Sequence, residues 1–122
     1  MKRLTTIPLL FFALLGAPLA AAPWSESDTA LEATYLVFHA VDWGQTLDIA
    51  ARGDVYHEIN PILGRHPARA DVNLYFALTG VAHIALARWL DPPYRQIFQI
   101  ATIALEAAVT AGNHTIGLRM AF

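Results

Sequence analysis

Apolar and polar positions change rhythm twice along this chain. From Val72 to Leu90 the run VNLYFALTGVAHIALARWL is apolar around the full helical circumference. Its roughly 19 residues would cover the ~30 Å hydrocarbon core of a bilayer as a helix. Asp91-Pro92-Pro93 closes that run, and a second apolar stretch extends from Ile97 to Met120. The two together read as a transmembrane hairpin about a Pro-Pro break. Upstream, Trp24-Ser25-Glu26-Ser27-Asp28 offers N-cap residue types followed by early acids, as helix starts prefer. Helices are therefore predicted over about 29–51, 71–90 and 94–118, with Asp71 as the N-cap of the second. The connection Arg52 to Ala70 carries turn signals at Asn60-Pro61, Gly64 and His66-Pro67. Residues before proline disfavour helix, so at most one helical turn fits near Asp54 to Ile59.

Within these helices the polar residues form stripes. Gln99, Thr102, Glu106, Thr110, Asn113 and Gly117 recur at spacings of three and four, which is one face of the last helix. In the first helix Glu32, Tyr35, His39, Asp42, Gln45 or Thr46, and Ile49 do the same. The middle helix contributes Gly80 and His83 on a narrow face with Phe76. In lipid such faces turn towards one another, because small residues let backbones approach and polar side chains bond across helices.

Composition supports that choice of solvent. Hydrophobic residues make up 56% and charged residues 15%, against ~45–50% and ~25% in ordinary soluble domains. Net charge is −2 with scattered basic residues, which leaves no footprint for nucleic acid. The absence of cysteine removes disulfides, thiolate nucleophiles and Cys-based zinc sites. At the N-terminus Lys2 and Arg3 precede the short apolar core Ile7 to Leu15 and the small-residue run Ala17-Pro18-Leu19-Ala20-Ala21-Ala22. This reads as a secretory signal peptide over 1–22, or as an uncleaved anchor, since Leu4 to Ala22 is nearly long enough to span. The remainder, 23–122, is one helical membrane domain. The expected fold is all-α, a signal or anchor helix plus a three-helix transmembrane bundle.

Charge placement sets the expected orientation. With the signal starting in the cytoplasm, the loop bearing Arg52, Arg65 and Arg69 returns inside and Arg119 ends inside, as the positive-inside rule requires. Arg88 and Arg95 flank the outer turn and are expected to snorkel to the interface. Bacterial inner membrane is the expected location, with the periplasm as the alternative if the helices do not insert. The soluble alternative, a secreted helical binding protein, draws on the acids and histidine of the first helix. Against it stands the middle helix, which is apolar on all sides where a surface helix would be amphipathic.

The candidate polar cluster is Asp42, Gln45, Thr46, Glu58, Asn60, His39, His83, Glu106 and Asn113. One reading is a bundle core in which Glu106, His83, His39 and Asp42 satisfy one another and fix helix register. The other is an intramembrane proton or ion relay, or a metal held by histidine and carboxylate. Two histidines and a carboxylate suit zinc or iron chemically, but here they stand on separate helices and no H-E-x-x-H run is present. The metal is left open and no cofactor is expected. In the loop, His57-Glu58-Ile59-Asn60-Pro61-Ile62-Leu63-Gly64 reads as a cap, with Asn60-Pro61 turning, Gly64 at positive φ, and Glu58 capping or pairing with Arg65. Alternatively His57 and Glu58 join Asp42 and Gln45 as a headgroup or ion site. His66 and His114 are expected to face solvent or the interface.

Asp42-Trp43-Gly44-Gln45-Thr46 near a helix end, followed by Glu58-Ile59-Asn60-Pro61 and two apolar helices, resembles a group of small bacterial inner-membrane proteins of uncharacterised activity. They share an Asp-x-x-(Gln/Thr)-Thr helix and a following Glu-x-Asn-Pro. The resemblance covers roughly Asp42 to Phe122 and is most specific at Glu-Ile-Asn-Pro. It implies a multi-helix membrane protein, supplies no mechanism, and marks Asp42, Gln45, Thr46, Glu58, Asn60 and Pro61. The function expected is that of a small integral membrane protein, a structural or complex subunit more than an enzyme. Its expected partners are the lipid bilayer and other membrane subunits or further copies of itself.

Overall fold

The computed structural model describes residues 22–122, and the segment 1–21, where the signal or anchor expectation falls, lies outside the described residues. The described chain is all-helical. α1 spans Glu26–Ala51, α2 Arg69–Trp89 and α3 Tyr94–Thr115. α1 starts three residues earlier than expected because Ser25 and Asp28 form a capping box. The Asp28 N–H donates to Ser25 Oγ at 3.1 Å, and the Ser25 N–H donates to Asp28 Oδ2 at 3.0 Å. α2 also starts early, at Arg69 after Ala68, with no side-chain cap. Asp71 thus stands in the first turn, where its charge still favours the positive helix end. α3 ends at Thr115 because Gly117 takes a φ of 101°. Leu118 N–H then bonds Asn113 O at 3.0 Å and Gly117 N–H bonds His114 O at 3.1 Å, the paired bonds of a Schellman ending.

α1 packs against both other helices, while α2 and α3 touch each other much less. The apolar core is small and sits at the loop end, where Leu47, Val72 and Phe76 pack with Trp43, Leu63, Tyr75 and Ala121. Most of the remaining interior is polar: Asp28, Glu32, His39, Gln45, Thr46, Asp48, His83, Arg95, Gln99 and Thr110 are all buried. Outside, the mid-bundle surface is apolar. Val37 is 63% exposed and Leu105 64%, and Leu74, Val81, Ile97 and Ile100 are exposed beside them. No charged residue is exposed on α1 from Ala30 to Leu47, on α2 from Leu74 to Ala87, or on α3 from Ile97 to Gly112. Thr34, exposed on α1, turns its hydroxyl back onto Ala30 O at 2.8 Å. This polarity is the reverse of a water-soluble domain, in which buried charged and amide side chains are the exception.

Two expectations need correction. Of the described helices only α2 is long and apolar enough to cross a membrane by itself, with a mean hydropathy of 1.3 over its best window. α1 and α3 fall short because they supply the interior polar residues, which lower the average wherever they point. Arg95, expected to snorkel outward, is 0% exposed. A carboxylate and four carbonyl groups await it inside, and a satisfied guanidinium has no need of the interface.

Candidate functional site: a polar interior between three helices

The interior is built in tiers along α1. At the Pro-Pro end, Arg95 Nη1 donates to Asp28 Oδ2 at 2.9 Å, while its Nε reaches Ala87 O at 2.8 Å and Leu90 O at 3.1 Å. Nη1 also donates to Pro23 O at 3.3 Å, and Nη2 donates to Ala22 O at 2.8 Å. One side chain thereby ties the start of α1, the end of α2 and the start of α3. Gln96 also donates to Asp28. One turn inward, Gln99 Nε2 donates to Asp28 O at 3.0 Å and to Glu32 Oε2 at 2.9 Å.

The middle of the bundle holds two carboxylate–imidazole pairs. Glu32 Oε1 lies 2.7 Å from His83 Nδ1, and His83 Nε2 lies 2.8 Å from Thr102 Oγ1. Thr102 Oγ1 also lies 2.8 Å from Phe98 O and 3.0 Å from Gln99 O, to either of which its hydroxyl can donate. The second pair repeats the pattern. His39 Nε2 donates to Phe76 O at 3.0 Å, and its Nδ1 faces Glu106 Oε1 at 3.0 Å. In both pairs a carboxylate oxygen faces an imidazole Nδ1 within hydrogen-bond reach. A buried carboxylate with such a partner costs far less than an unpaired one.

Tyr35 links the two. Its ring stacks on His83 with centroids 3.4 Å apart and planes 7° from parallel, and its hydroxyl lies 3.2 Å from His39 Nδ1. Thr79 Oγ1 adds a contact to His39 Nε2 at 3.2 Å. Gly80 on α2 faces the His39 ring at this level, where a Cβ would stand 3.5 Å away in ordinary contact, so the helix separation does not require glycine here.

Nearer the loop end, Asn113 Nδ2 donates to Asp42 Oδ1 at 3.3 Å and Gln45 Oε1 at 3.1 Å, and Gln45 Nε2 donates to Thr110 O at 3.1 Å. Trp43 Nε1 bridges to Asn73 Oδ1 on α2 at 2.9 Å. The last tier is Asp48, which takes Arg52 Nε at 2.8 Å, a second Arg52 bond, and the Arg119 N–H at 2.9 Å.

Of the sequence-predicted cluster, His39, His83, Glu106, Asp42, Gln45 and Asn113 all enter the interior, and Thr46 is buried beside them. Their pairing differs from the expectation, since His83 takes Glu32 and leaves Glu106 to His39. Glu58 and Asn60 stay in the loop. Glu58 Oε1 accepts the N–H groups of Ile59 and Asn60, both at 2.9 Å, and Asn60 Oδ1 accepts Ile62 N–H at 2.9 Å. With Gly64 at φ 78° this is the expected turn-capping arrangement, and Glu58 meets Arg65 through backbone rather than charge. His57, His66 and His114 are exposed.

Glu32, Tyr35, Gln99 and Thr102 belong to the site without having been singled out for it. Their signal was present, because all four lie on the polar stripes that contain His39 and Glu106. Asp28 and Arg95 extend the same stripes by one turn, four residues before Glu32 and Gln99, but nothing in the sequence announced that they meet across 67 residues. Among the described residues two interior acceptors have no hydrogen-bond partner, Glu106 Oε2 and Gln99 Oε1. Among the described residues no group of three His, Asp or Glu side chains converges as a metal ion would require. No protein-family model, curated protein or solved structure matches this chain.

Proposed function

We propose that this is a small integral membrane protein of the bacterial inner membrane whose three helices cross the bilayer around a sealed polar interior. The observation that carries the reading is the inverted polarity and its limits. Asp28 and Asp48, the buried carboxylates that close the two ends, stand twenty residues apart on α1. At 1.5 Å per residue that is about 30 Å, the thickness of the hydrocarbon core. Between those levels the exposed surface is apolar, and beyond them lie the exposed charges. Aromatic residues gather at the Pro-Pro end, where Trp89 and Tyr94 are exposed and Trp24 is half-buried, as interfacial belts require. Orientation follows the charge bias, with Arg52, Arg65, Arg69 and Arg119 on the cytoplasmic side. Arg95, paired with Asp28, does not weigh against it.

In this reading the protein acts as a structural or assembly subunit, a member of the group of small membrane proteins it resembles. The cross-helix pairs Glu32–His83 and His39–Glu106 specify the register that lipid-facing alanines and leucines leave undetermined. Membrane fractionation with carbonate extraction tests it. Retention of the full chain in the washed pellet is expected, and release into a periplasmic extract would favour the secreted, soluble alternative. A second reading, a proton relay, draws on one observation. Glu106 neighbours Asp42, and its Oε2 is buried without a hydrogen-bond partner among the described residues, so a proton arriving there has an acceptor ready. It requires that Glu106→Gln abolish a proton flux in reconstituted vesicles while the protein stays inserted; an unchanged flux ends it.

A further inference from the structure

An open groove of about 270 Å³ runs between α1 and α2 at the Pro-Pro end, lined by Trp24, Thr29, Glu32, Ala33, Leu36, Ile84 and Arg88. Its composition is divided along its length. Ala33, Leu36 and Ile84 form an apolar wall towards the middle of the bundle. Trp24 and Arg88 stand at the outer rim, with the Arg88 guanidinium 5.0 Å from the centroid of the Trp24 ring. Glu32 forms part of the floor, but both its oxygens are already engaged, by His83 and by Gln99. Two polar groups at the rim stand unused. The Trp24 indole N–H is buried and has no hydrogen-bond partner among the described residues. Arg88 makes no ion pair or hydrogen bond with any described residue, whereas Arg95, on the same indole at 5.5 Å, is fully paired.

We propose that this groove holds one anionic membrane lipid, its acyl chain along Ala33, Leu36 and Ile84 and its phosphate between the Arg88 guanidinium and the Trp24 N–H. A guanidinium and an indole N–H are donors only, so an anion with several acceptor oxygens matches both. The apolar wall continues from that point towards the bilayer centre, which is where the chain of a lipid anchored at this headgroup level must lie. A soluble phosphate compound would use the rim and leave the wall bare. The proposal rests on the membrane reading for its orientation, but its test does not.

The full chain is purified in neutral detergent and mixed with equal amounts of a phosphatidylglycerol and a phosphatidylcholine of identical acyl chains. Retained lipid is read by native mass spectrometry. Preferential retention of one phosphatidylglycerol is expected. Arg88→Gln should reduce that preference by about tenfold, the scale of one charge-assisted hydrogen bond. Ala33→Phe, which fills the apolar wall, should reduce retention of both lipids. Equal retention of the two lipids by the unaltered chain, or an unchanged preference in Arg88→Gln, overturns the proposal. So does loss of phosphatidylglycerol on adding millimolar inorganic phosphate, which would identify a headgroup site without a chain. Helicity by circular dichroism confirms that each variant is folded. Carbonate extraction, done in parallel, reports on the membrane reading separately.

Discussion

Arg95 and Asp28 meet at 2.9 Å in a part of the bundle that solvent does not reach, although 67 residues separate them. Through Arg95, which also bonds Ala87 O, the pair ties all three helices at the Pro-Pro end. Breaking it from one side leaves a buried charge with nothing to balance it, at a cost of about 3–5 kcal/mol. Arg95→Met should therefore destabilise the purified protein strongly, seen as a large fall in unfolding midpoint in detergent. Arg95→Met combined with Asp28→Leu should recover much of the loss, because neither charge remains. If the double variant is no more stable than Arg95→Met, the pair is not the tie described.

Glu106 gives a second contrast. Glutamine keeps a polar group opposite His39 Nδ1, so Glu106→Gln should remain folded and inserted. Glu106→Leu leaves His39 Nδ1 with only the Tyr35 hydroxyl and should lose about 1–3 kcal/mol. Thermal unfolding of both variants in the same detergent measures the difference. Equal stabilities would mean that the 3.0 Å contact contributes nothing.

How far the residues announced this arrangement depends on the kind of contact. The stripe from Gln99 to Asn113 on α3 and that from Glu32 to Gln45 on α1 were readable, because spacings of three and four define a face irrespective of partner. Which residue of one stripe meets which of another was not readable. That depends on helix rotation and vertical offset, so His83 finds Glu32 at 2.7 Å instead of Glu106. Arg95 shows the larger gap. Its position beside a proline turn suggested the interface, and only the carbonyls of Ala22, Pro23, Ala87 and Leu90 brought together in space explain its burial. The early start of α1 was legible in part, since Ser25 and Asp28 have the spacing of a capping box.

The C-terminal tail is held by a glycine. Gly44 O accepts the Ala121 N–H at 3.0 Å, and a Cβ at Gly44 would lie 2.9 Å from Met120 Cβ and Cγ and from a ring carbon of Phe122. Gly44→Val should displace residues Met120 to Phe122 while leaving the helices in place. Faster trimming of the tail by a carboxypeptidase, with unchanged helicity, is the expected outcome. Resistance equal to that of the unaltered chain would show that the tail does not depend on this approach.

The most direct test of the membrane bundle uses the absence of cysteine from the chain. Single substitutions Val37→Cys, Val81→Cys and Leu105→Cys place one thiol on the mid-bundle exterior of each helix, and Ile59→Cys places one in the loop, where Ile59 is 88% exposed. Each variant is treated in lipid vesicles, permeabilised just enough to admit a charged maleimide to both faces. Rapid labelling of Ile59→Cys with little or none at Val37→Cys, Val81→Cys and Leu105→Cys is expected if lipid covers the exterior. Labelling of the three mid-bundle thiols as fast as the loop thiol would put that surface in water and contradict the bundle as a membrane-spanning one.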